Sequence, residues 1–372
     1  MSVTYDRMRV LIVVPENKLG GAEKLVYDLA TEWQTQGIEV HVLAFENRIN
    51  KPYFFLPEQS FKYTMLQEQG KLSKASIIKK TLAYIDKEKI DIVHTHLSAI
   101  NYLFPISLLR KKVAFFHTIH NLAEKEAVNK VGKIIRKWAF GLGGWKAVTI
   151  STECRQSYRK WYSKSNDYLI PNGLKDPVPS HLYEERKTQL DKLAPQGLRF
   201  VHLGRLSHQK NQALLLKAFL HFQATHPSAL LLIGGPETKE PVSTEILKEI
   251  KSLAHRGVHW LGPVEFASDY LFLSDFFCLS SRFEGLPISL LEAMACSCVP
   301  ICTAVGGIPE ILTDVISLAK PKNEESYIAL MQELAMAENA DKKAALRMVY
   351  LRDYSIQECA RAYIQVFKSV KA

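Results

Sequence analysis

Two glutamates in the C-terminal half have a spacing suited to binding a phosphorylated ligand. Glu284 precedes a Gly-Leu-Pro turn, and Glu292 follows eight residues later on a helix predicted over 287–295. Pro287 suits the first helical position because it has no N–H to leave unpaired there. The first-turn N–H groups form an anion site, and Glu292 lies roughly 7 Å further along the axis. This layout favours a ligand with central phosphates and hydroxyls at both ends, as in nucleotide sugars.

Two basic residues provide the matching cations. Arg205 and Lys210 lie in the segment GRLSHQKN (204–211), directly after a strand predicted over 199–203. A guanidinium can hold a phosphate through two N–H donors, and a lysine adds a compact charge. Together they can neutralise a diphosphate leaving group without a metal. The alternative is a pair of solvated loop charges.

Each polar candidate also has a structural interpretation. Glu292 stands on an otherwise apolar helix, which requires either a ligand or a structural partner. Glu284 suits a cap of the following turn. Four histidines fall at the ends of two predicted strands: His94, His96, His117 and His120. Core histidines, site residues and metal ligands are the three interpretations. No acidic residue accompanies them closely, which disfavours a metal.

The elements that must position these residues alternate between apolar runs and helical patterns, as in parallel α/β folds. Strands are predicted over 9–14, 39–45, 90–94, 113–118, 147–150, 168–170, 199–203, 229–233, 258–261, 276–279 and 299–302. Helices are predicted over 23–36, 212–224, 244–254, 287–295 and 356–368. Residues 46–75 are predicted to be an irregular, aromatic-rich surface excursion with pairing of its own. The charged, proline-containing stretch 174–197 is predicted to link two domains.

Length and composition indicate an ordinary globular chain. Its 372 residues exceed what one core usually serves, and 47% hydrophobic with 23% charged residues is typical of soluble proteins. No apolar run is long enough to span a membrane, and the N-terminus enters a strand without a signal pattern. A cytoplasmic location follows as the expectation. The six cysteines include no C-x2-C pair, so buried thiols are favoured over zinc.

The net charge of +10 lies entirely in residues 1–180, which suggests an acidic partner for that half. Its densest part combines basic and apolar side chains on one helix: Lys130, Lys133, Ile134, Ile135, Arg136, Lys137, Trp138, Phe140 and Trp145. Such a helix suits peripheral binding to an anionic membrane. A solvated face with an apolar core side is the other interpretation. No nucleic acid partner is expected.

The motifs together resemble a known family. GRLSHQKN, followed by EGLPISLLEAMA with its Glu-x7-Glu spacing, is similar to the retaining glycosyltransferases of family 4. Weaker similarities are LGGAE at 19–23, DIVHTH at 91–96, HTIHN at 117–121 and IPNG at 170–173. The resemblance implies the GT-B fold: two doubly wound Rossmann-like domains facing across a cleft. Residues 1–180 would bind the acceptor, 181–354 the nucleotide sugar, and a helix over 355–372 would cross back to the first domain.

The resemblance also implies roles for individual residues. Arg205 and Lys210 would hold the donor diphosphate, with help from the backbone at Gly285, Leu286, Ile288 and Ser289. Glu292 would bind the ribose hydroxyls, Glu284 the transferred sugar, and His120 would approach that sugar as a catalytic residue. Further donor contacts are implied at Gly20, Gly21, Gly235 and Pro263.

The implied reaction is metal-independent transfer with retention, with a nucleotide sugar, most commonly a UDP-sugar, as co-substrate and no other cofactor. The acceptor would be a glycan or a lipid-linked intermediate of cell-surface polysaccharide synthesis. One alternative is a nucleotide-sugar epimerase of the same fold. A dinucleotide-dependent oxidoreductase is disfavoured because no G-x-G-x-x-G follows the first strand. A glycan-binding protein without activity is disfavoured by the intact basic residues.

Overall fold

The computed structural model describes residues 8–17, 21–47, 60–67, 72–126, 130–162, 166–312 and 314–371. The chain forms two compact units. Unit 1 contains Met1–Lys175 and Ser355–Ala372, and unit 2 contains Asp176–Tyr354. The division after Lys175 precedes the boundary predicted at residue 180. Among the described residues, no helix is long and apolar enough to cross a membrane.

Unit 1 is built on a parallel sheet with the strand order β3-β2-β1-β4-β5-β6-β7 among the described residues. The strands are β1 (Arg9–Asn17), β2 (Glu39–Asn47), β3 (Lys62–Met65), β4 (Ile92–His96), β5 (Ala114–Ile119), β6 (Lys146–Thr149) and β7 (Asp167–Leu169). β1 lies between β2 and β4, and Val10–Val14 are fully buried, as expected of a strand covered on both faces.

The helices of unit 1 cover both faces of this sheet. They are α1 (Gly21–Thr35), α2 (Lys74–Lys87), α3 (Ile100–Leu109), α4 (Ala123–Glu126), α5 (Lys130–Gly141) and α6 (Thr152–Trp161). Residues 46–75, predicted to be irregular, include β3 and the start of α2. Residues 48–59 and 68–71 of that stretch lie outside the described residues.

Unit 2 has a second parallel sheet, with the order β10-β9-β8-β11-β12. Its strands are β8 (Arg199–Leu203), β9 (Leu230–Gly234), β10 (Val258–Gly262), β11 (Phe276–Leu279) and β12 (Val299–Cys302). Its helices are α7 (Tyr183–Leu193), α8 (Gln212–Gln223), α9 (Pro241–Ser252), α10 (Ala267–Phe272), α11 (Ile288–Ala295), α12 (Ile308–Leu312), α13 (Glu324–Met336) and α14 (Ala340–Val349). A 3-10 turn at Ala254–Arg256 and a π-helical turn at Tyr350–Tyr354 complete the unit.

The predicted linker over 174–197 contains the division between the units but is wrong for its centre, because α7 spans Tyr183–Leu193. Leu190 is buried, and Arg186 donates to the buried Asp269 carboxylate at 2.8 Å. The same carboxylate accepts the backbone N–H of Ser180 at 2.8 Å. The charges of this stretch therefore belong to a helix fixed to unit 2.

The last helix, α15 (Ile356–Lys371), belongs to unit 1. Its Tyr363 and Phe367 rings pack edge-on against Trp33 of α1, with centroids 5.5 and 5.3 Å away. The Trp33 indole N–H donates to the carbonyl of Ala360 at 3.2 Å. All six cysteines of the chain are buried free thiols.

Candidate functional site

The two loops predicted to bind phosphate follow neighbouring strands of unit 2. One loop leaves the carboxyl end of β8 and the other leaves the carboxyl end of β11, and these strands pair in parallel. The strand order runs away from β8 in one direction through β9 and in the other through β11. This is the topological switch point, the place where open α/β sheets bind ligands.

The central contact of the site joins Lys210 to Glu284. Lys210 Nζ donates to Glu284 Oε1 at 2.7 Å, and the two side chains are 13% and 6% exposed. Ser281 Oγ also donates to Oε1, at 2.6 Å, while Gln209 Nε2 donates to Oε2 at 3.3 Å. The carboxylate thus accepts three hydrogen bonds, which satisfies a charge that would be costly to bury alone.

Backbone contacts hold the two loops together around this pair. The backbone N–H of Arg282 donates to the carbonyl of Gln209 at 2.8 Å. Ser280 Oγ donates to the carbonyls of Lys210 and Asn211 at 3.1 and 3.0 Å. Asn211 lies in the left-handed region with φ 53°, which allows the loop to turn into α8. The position of the Lys210 ammonium is therefore fixed by both loops.

Two glycines permit the close backbone approach that this arrangement needs. Gly235 has φ 144°, and a Cβ there would overlap the carbonyl oxygen of Gly204. Gly306 has φ 61°, and a Cβ there would overlap the carbonyl oxygen of Glu284. The N–H of the next residue, Gly307, donates to the carbonyl of Gly285 at 2.7 Å. Only glycine combines these backbone angles with the absence of a side chain.

The helix α11 begins one residue later than predicted. Pro287 is its N-cap residue, with ψ 118°, and Ile288 is the first helical residue. The prediction that Pro287 occupies the first helical position is therefore wrong. Among the described residues, the N–H groups of Leu286, Ile288 and Ser289 have no protein acceptor. Glu292 is half-buried on this helix and has a partner of its own.

Arg205 does not share the close packing of Lys210. Its side chain is exposed, whereas its carbonyl accepts from Gln212 Nε2 at 2.8 Å. Pro263, after β10, is also exposed, and Gly235 is buried. The described geometry thus joins Lys210 to Glu284 and leaves Arg205 reaching into solvent.

A buried histidine supports the loop after β8. His202 Nδ1 lies 2.8 Å from the Cys278 carbonyl, an acceptor, so Nδ1 carries the proton. Its Nε2 then accepts from Gln212 Nε2 at 3.0 Å. Burial lowers the pKa of His202 to about 4, with a smaller contribution from the nearby Lys210 charge. His202 is therefore neutral near pH 7 and orients Gln212.

In unit 1, the predicted His120 lies beside His96 at the carboxyl ends of β4 and β5. His96 Nδ1 and His120 Nε2 are 2.9 Å apart, so one of the rings donates to the other. Burial lowers the pKa of His120 to about 4 and holds the pKa of His96 well below its usual range. His96 Nε2 is buried and has no hydrogen-bond partner among the described residues. The pair is neutral near pH 7.

The predicted membrane-facing position of Arg136 is wrong. Its side chain is 1% exposed and donates to Glu126 Oε2 at 2.5 Å and to the Leu97 carbonyl at 3.0 Å. Although burial opposes it, the Arg136 charge lowers the pKa of Glu126 to about 2. Glu126 Oε1 in turn accepts the backbone N–H of His120 at 3.1 Å. Arg136 therefore stabilises the His120 loop from inside.

The two other predicted positions of unit 1 are Gly20 and Gly21. Gly21 is the first residue of α1 and is exposed, and Gly20 lies outside the described residues. The histidines of unit 1 do not form a metal site in the described part of the chain, where no group of three suitable ligands occurs.

Comparison with known proteins shows the family. A family model described as Glycosyl transferases group 1 matches residues 185–347, and one described as Glycosyltransferase Family 4 matches residues 19–176. The chain belongs to glycosyltransferase family 4.

Relatives and solved structures agree with this assignment. A phosphatidylinositol N-acetylglucosaminyltransferase subunit from Arabidopsis thaliana is 25% identical, over 89% of this chain and 75% of that protein. N-acetyl-alpha-D-glucosaminyl L-malate synthase from Bacillus anthracis is 24% identical, over 79% of this chain and 78% of that protein. The structure of Anabaena HepE in complex with UDP and glucose superposes with a TM-score of 0.81 at 15% identity, covering 98% and 100% of the two chains. The fold is GT-B, as predicted.

Two residues that shape the site of this glycosyltransferase were not predicted from the sequence, Gln209 and Ser281, which hold Glu284. His96 was one of the four histidines named from the sequence, but its contact with His120 was not predicted. Ser281 stands three residues before Glu284, the spacing of a capping box, which is a signal that the sequence does contain. Gln209 and His96 lie inside the motifs GRLSHQKN and DIVHTH, but only the fold shows which residues they touch.

Proposed function

We propose that this glycosyltransferase moves a sugar from a UDP-sugar to a hydroxyl of a glycan or lipid-linked acceptor in cell-surface polysaccharide assembly. The transfer retains the configuration of the anomeric carbon and uses no metal. Family membership supports the transfer itself. The choice of UDP is supported by the UDP complex of HepE, and the two curated relatives are named for the transfer of N-acetylglucosamine units.

The observation that carries the donor site is the Lys210–Glu284 contact at the switch point. An ammonium has three donors, and Glu284 is the only acceptor that Lys210 Nζ has among the described residues. The remaining donors are available to a diphosphate. The first-turn N–H groups of α11 follow on the same loop and favour negative charge.

The other roles follow the motif positions. In this proposal Arg205, which is exposed, closes onto the diphosphate when the donor binds. Gly285, Leu286, Ile288 and Ser289 supply backbone contacts, and Glu292 accepts from the ribose hydroxyls. Gly235 and Pro263 border the nucleobase. Glu284, oriented by its contacts with Lys210, Ser281 and Gln209, contacts the sugar.

The N-terminal unit completes the proposed reaction. In this proposal His120, Gly20 and Gly21 contact the sugar and the acceptor. The bond between the anomeric carbon and the diphosphate breaks, and its electron pair goes to the phosphate oxygen. The acceptor oxygen bonds to the same face of the carbon, and its proton passes to the departing phosphate. Lys210 and the end of α11 stabilise the charge that develops there.

Calorimetric titration with UDP tests the donor site. Lys210→Ala is expected to weaken UDP binding by about 1.5–3 kcal/mol, because a charge-assisted contact is lost. Lys187→Ala, on the exposed face of α7, removes the same charge away from the site and is expected to bind like wild type. Equal affinities for all three proteins would remove Lys210 from the donor site.

Product analysis tests the reaction class. With a UDP-sugar and a hydroxyl acceptor, the anomeric configuration of the product, followed by NMR, is expected to match that of the donor. Incubation with the UDP-sugar alone separates the epimerase alternative, since a new epimer without an acceptor would replace the transferase proposal. An inverted product would leave the glycosyl transfer standing and contradict retention.

A further inference from the structure

Unit 1 exposes apolar side chains on two adjacent helices. On α5 they recur at helical spacing, and on α3 they lie at its end, so that both helices contribute to one apolar patch. The patch consists of Leu108 (44% exposed), Leu109 (61%), Val131 (59%), Ile134 (50%) and Trp138 (53%). The rings of Phe104 and Trp138 are 6.5 Å apart, which places α3 beside α5. A grouped patch of this kind indicates an interaction surface.

A cavity of about 270 Å³ lies where α3 and α5 end and where β5 and β6 begin. Three lysines line this lysine cavity, namely Lys111, Lys112 and Lys146, together with the exposed Leu142. It opens at the amino ends of the strands, whereas His96 and His120 lie at their carboxyl ends. The cavity is therefore separate from the candidate catalytic residues of this unit.

The charges around the cavity are uncompensated. The sequence contains no aspartate or glutamate over 97–123 or over 127–152. Among the described residues, no ion pair is formed by the three cavity lysines or by Lys130, Lys133 and Lys137 of α5. Burial lowers the pKa of Lys146.

We propose that the apolar patch and the lysine cavity form a docking surface for an anionic phospholipid membrane. The lysines bind lipid phosphates, and the leucines, Ile134 and Trp138 enter the interface between headgroups and acyl chains. Tryptophan at the edge of an apolar helix face, flanked by lysines, is the composition that such interfaces favour. Positive charge is also favourable at the carboxyl end of a helix, which would explain lysines directly after α3. That effect does not explain the exposed apolar side chains beside them.

The surface differs from the one predicted from the sequence, and the difference guides the test. Arg136, Phe140 and Trp145 are buried, whereas Leu108, Leu109, Leu142 and the cavity lysines take their place. Variants of the buried residues would report on folding, so the test uses exposed positions.

Flotation with vesicles tests the docking surface. The wild-type chain is expected to float with phosphatidylcholine–phosphatidylglycerol vesicles and to remain behind with pure phosphatidylcholine. Lys111→Glu with Lys112→Glu is expected to lower the partition coefficient roughly tenfold or more, and Leu109→Ser with Trp138→Ser is expected to lower it as well. Lys187→Glu with Lys192→Glu on α7 makes the same charge change elsewhere and is expected to float like wild type.

Tryptophan fluorescence gives an independent readout. Emission is expected to shift to shorter wavelength when anionic vesicles are added, and Trp138→Phe is expected to keep the binding while losing most of the shift. Circular dichroism and an unchanged thermal unfolding transition of unit 1 confirm that the lysine variants remain folded. The proposal is overturned if the wild type does not prefer anionic vesicles, if the α7 control loses binding equally, or if the Trp138→Phe variant keeps the full shift.

Discussion

At the scale of single residues, the Lys210–Glu284 pair contributes to the stability of unit 2 and, in our proposal, to donor binding. Glu284 is almost fully buried and accepts from Lys210, so removing the lysine leaves a buried carboxylate with one cation fewer. Removing one partner of a buried ion pair lowers the free energy of unfolding far more than replacing both partners with neutral groups. Stability and donor binding can therefore be separated by mutation.

Lys210→Met is expected to lower the free energy of unfolding by about 3 kcal/mol, because Glu284 loses its counter-ion. Lys210→Met combined with Glu284→Gln is expected to recover much of this loss while UDP binding stays weak. Urea unfolding and calorimetry measure the two quantities. If the double variant regains UDP affinity along with stability, Lys210 acts only through the fold.

The buried histidines predict a loss of stability in mild acid. The pKa values of His202 and His120 are lowered to about 4 in the folded chain, so the unfolded chain binds more protons between pH 6.5 and pH 4. The free energy of unfolding therefore falls as the pH falls through this window.

His202→Gln is expected to flatten that pH dependence, since glutamine does not titrate. Urea unfolding at a series of pH values between 7 and 4 measures the slope, compared with the wild type. The exposed His208→Gln serves as the control and is expected to keep the wild-type slope. An unchanged slope in His202→Gln would mean that His202 does not contribute to the acid sensitivity.

At the scale of elements, the loops of unit 2 are positioned by glycines whose neighbours are backbone atoms. A Cβ at Gly306 would overlap the carbonyl oxygen of Glu284, and backbone there cannot move without displacing the carboxylate. Gly262 also has a positive φ, of 70°, but has open space around the Cβ position. Gly262 and Gly306 both have a positive φ that strains other residues. Only at Gly306 would a Cβ also overlap a neighbouring atom.

Gly262→Ala is expected to cost about 1 kcal/mol of stability from strain in the left-handed region alone. Gly306→Ala is expected to cost more and to reduce sugar transfer, because the turn that carries Glu284 must shift. Thermal unfolding and transfer kinetics compare the two variants. Equal losses of stability and activity would show that the contact of Gly306 with Glu284 does not matter.

At the scale of the whole molecule, the chain closes unit 1 with its last helix. Phe367 of α15 is fully buried against Trp33 and Phe116, residues far from it in sequence. The folding of unit 1 therefore depends on residues that are made after all of unit 2.

Phe367→Ala is expected to destabilise unit 1 by about 3–5 kcal/mol, the usual cost of removing a buried phenyl ring. Hydrogen exchange, followed residue by residue, is expected to show faster exchange in β1 and β4 and little change in β8 and β11. Ser369→Ala, at an exposed position of the same helix, is the control. Equal acceleration in both units would contradict an independent unit 1.

The sequence by itself determined the parallel strands and the phosphate motifs. Buried parallel strands are short apolar runs, and β8, β11 and β12 have the predicted bounds for this reason. The motifs GRLSHQKN and EGLPISLLEAMA likewise contain Lys210, Glu284 and Glu292 at recognisable spacings. Each of these features is local, so side-chain type and spacing are enough to predict it.

Only the tertiary structure decided which charges are buried and which residues meet. Arg136 directly precedes Lys137, which faces solvent, but the ion pair with Glu126 holds Arg136 inside. The charged stretch that contains α7 was predicted to be a linker because its partner, Asp269, is distant in sequence. Similarly, the contact between Lys210 and Glu284 exists because β8 and β11 are neighbours. Such pairings depend on strand order, which residue spacing along the chain does not determine.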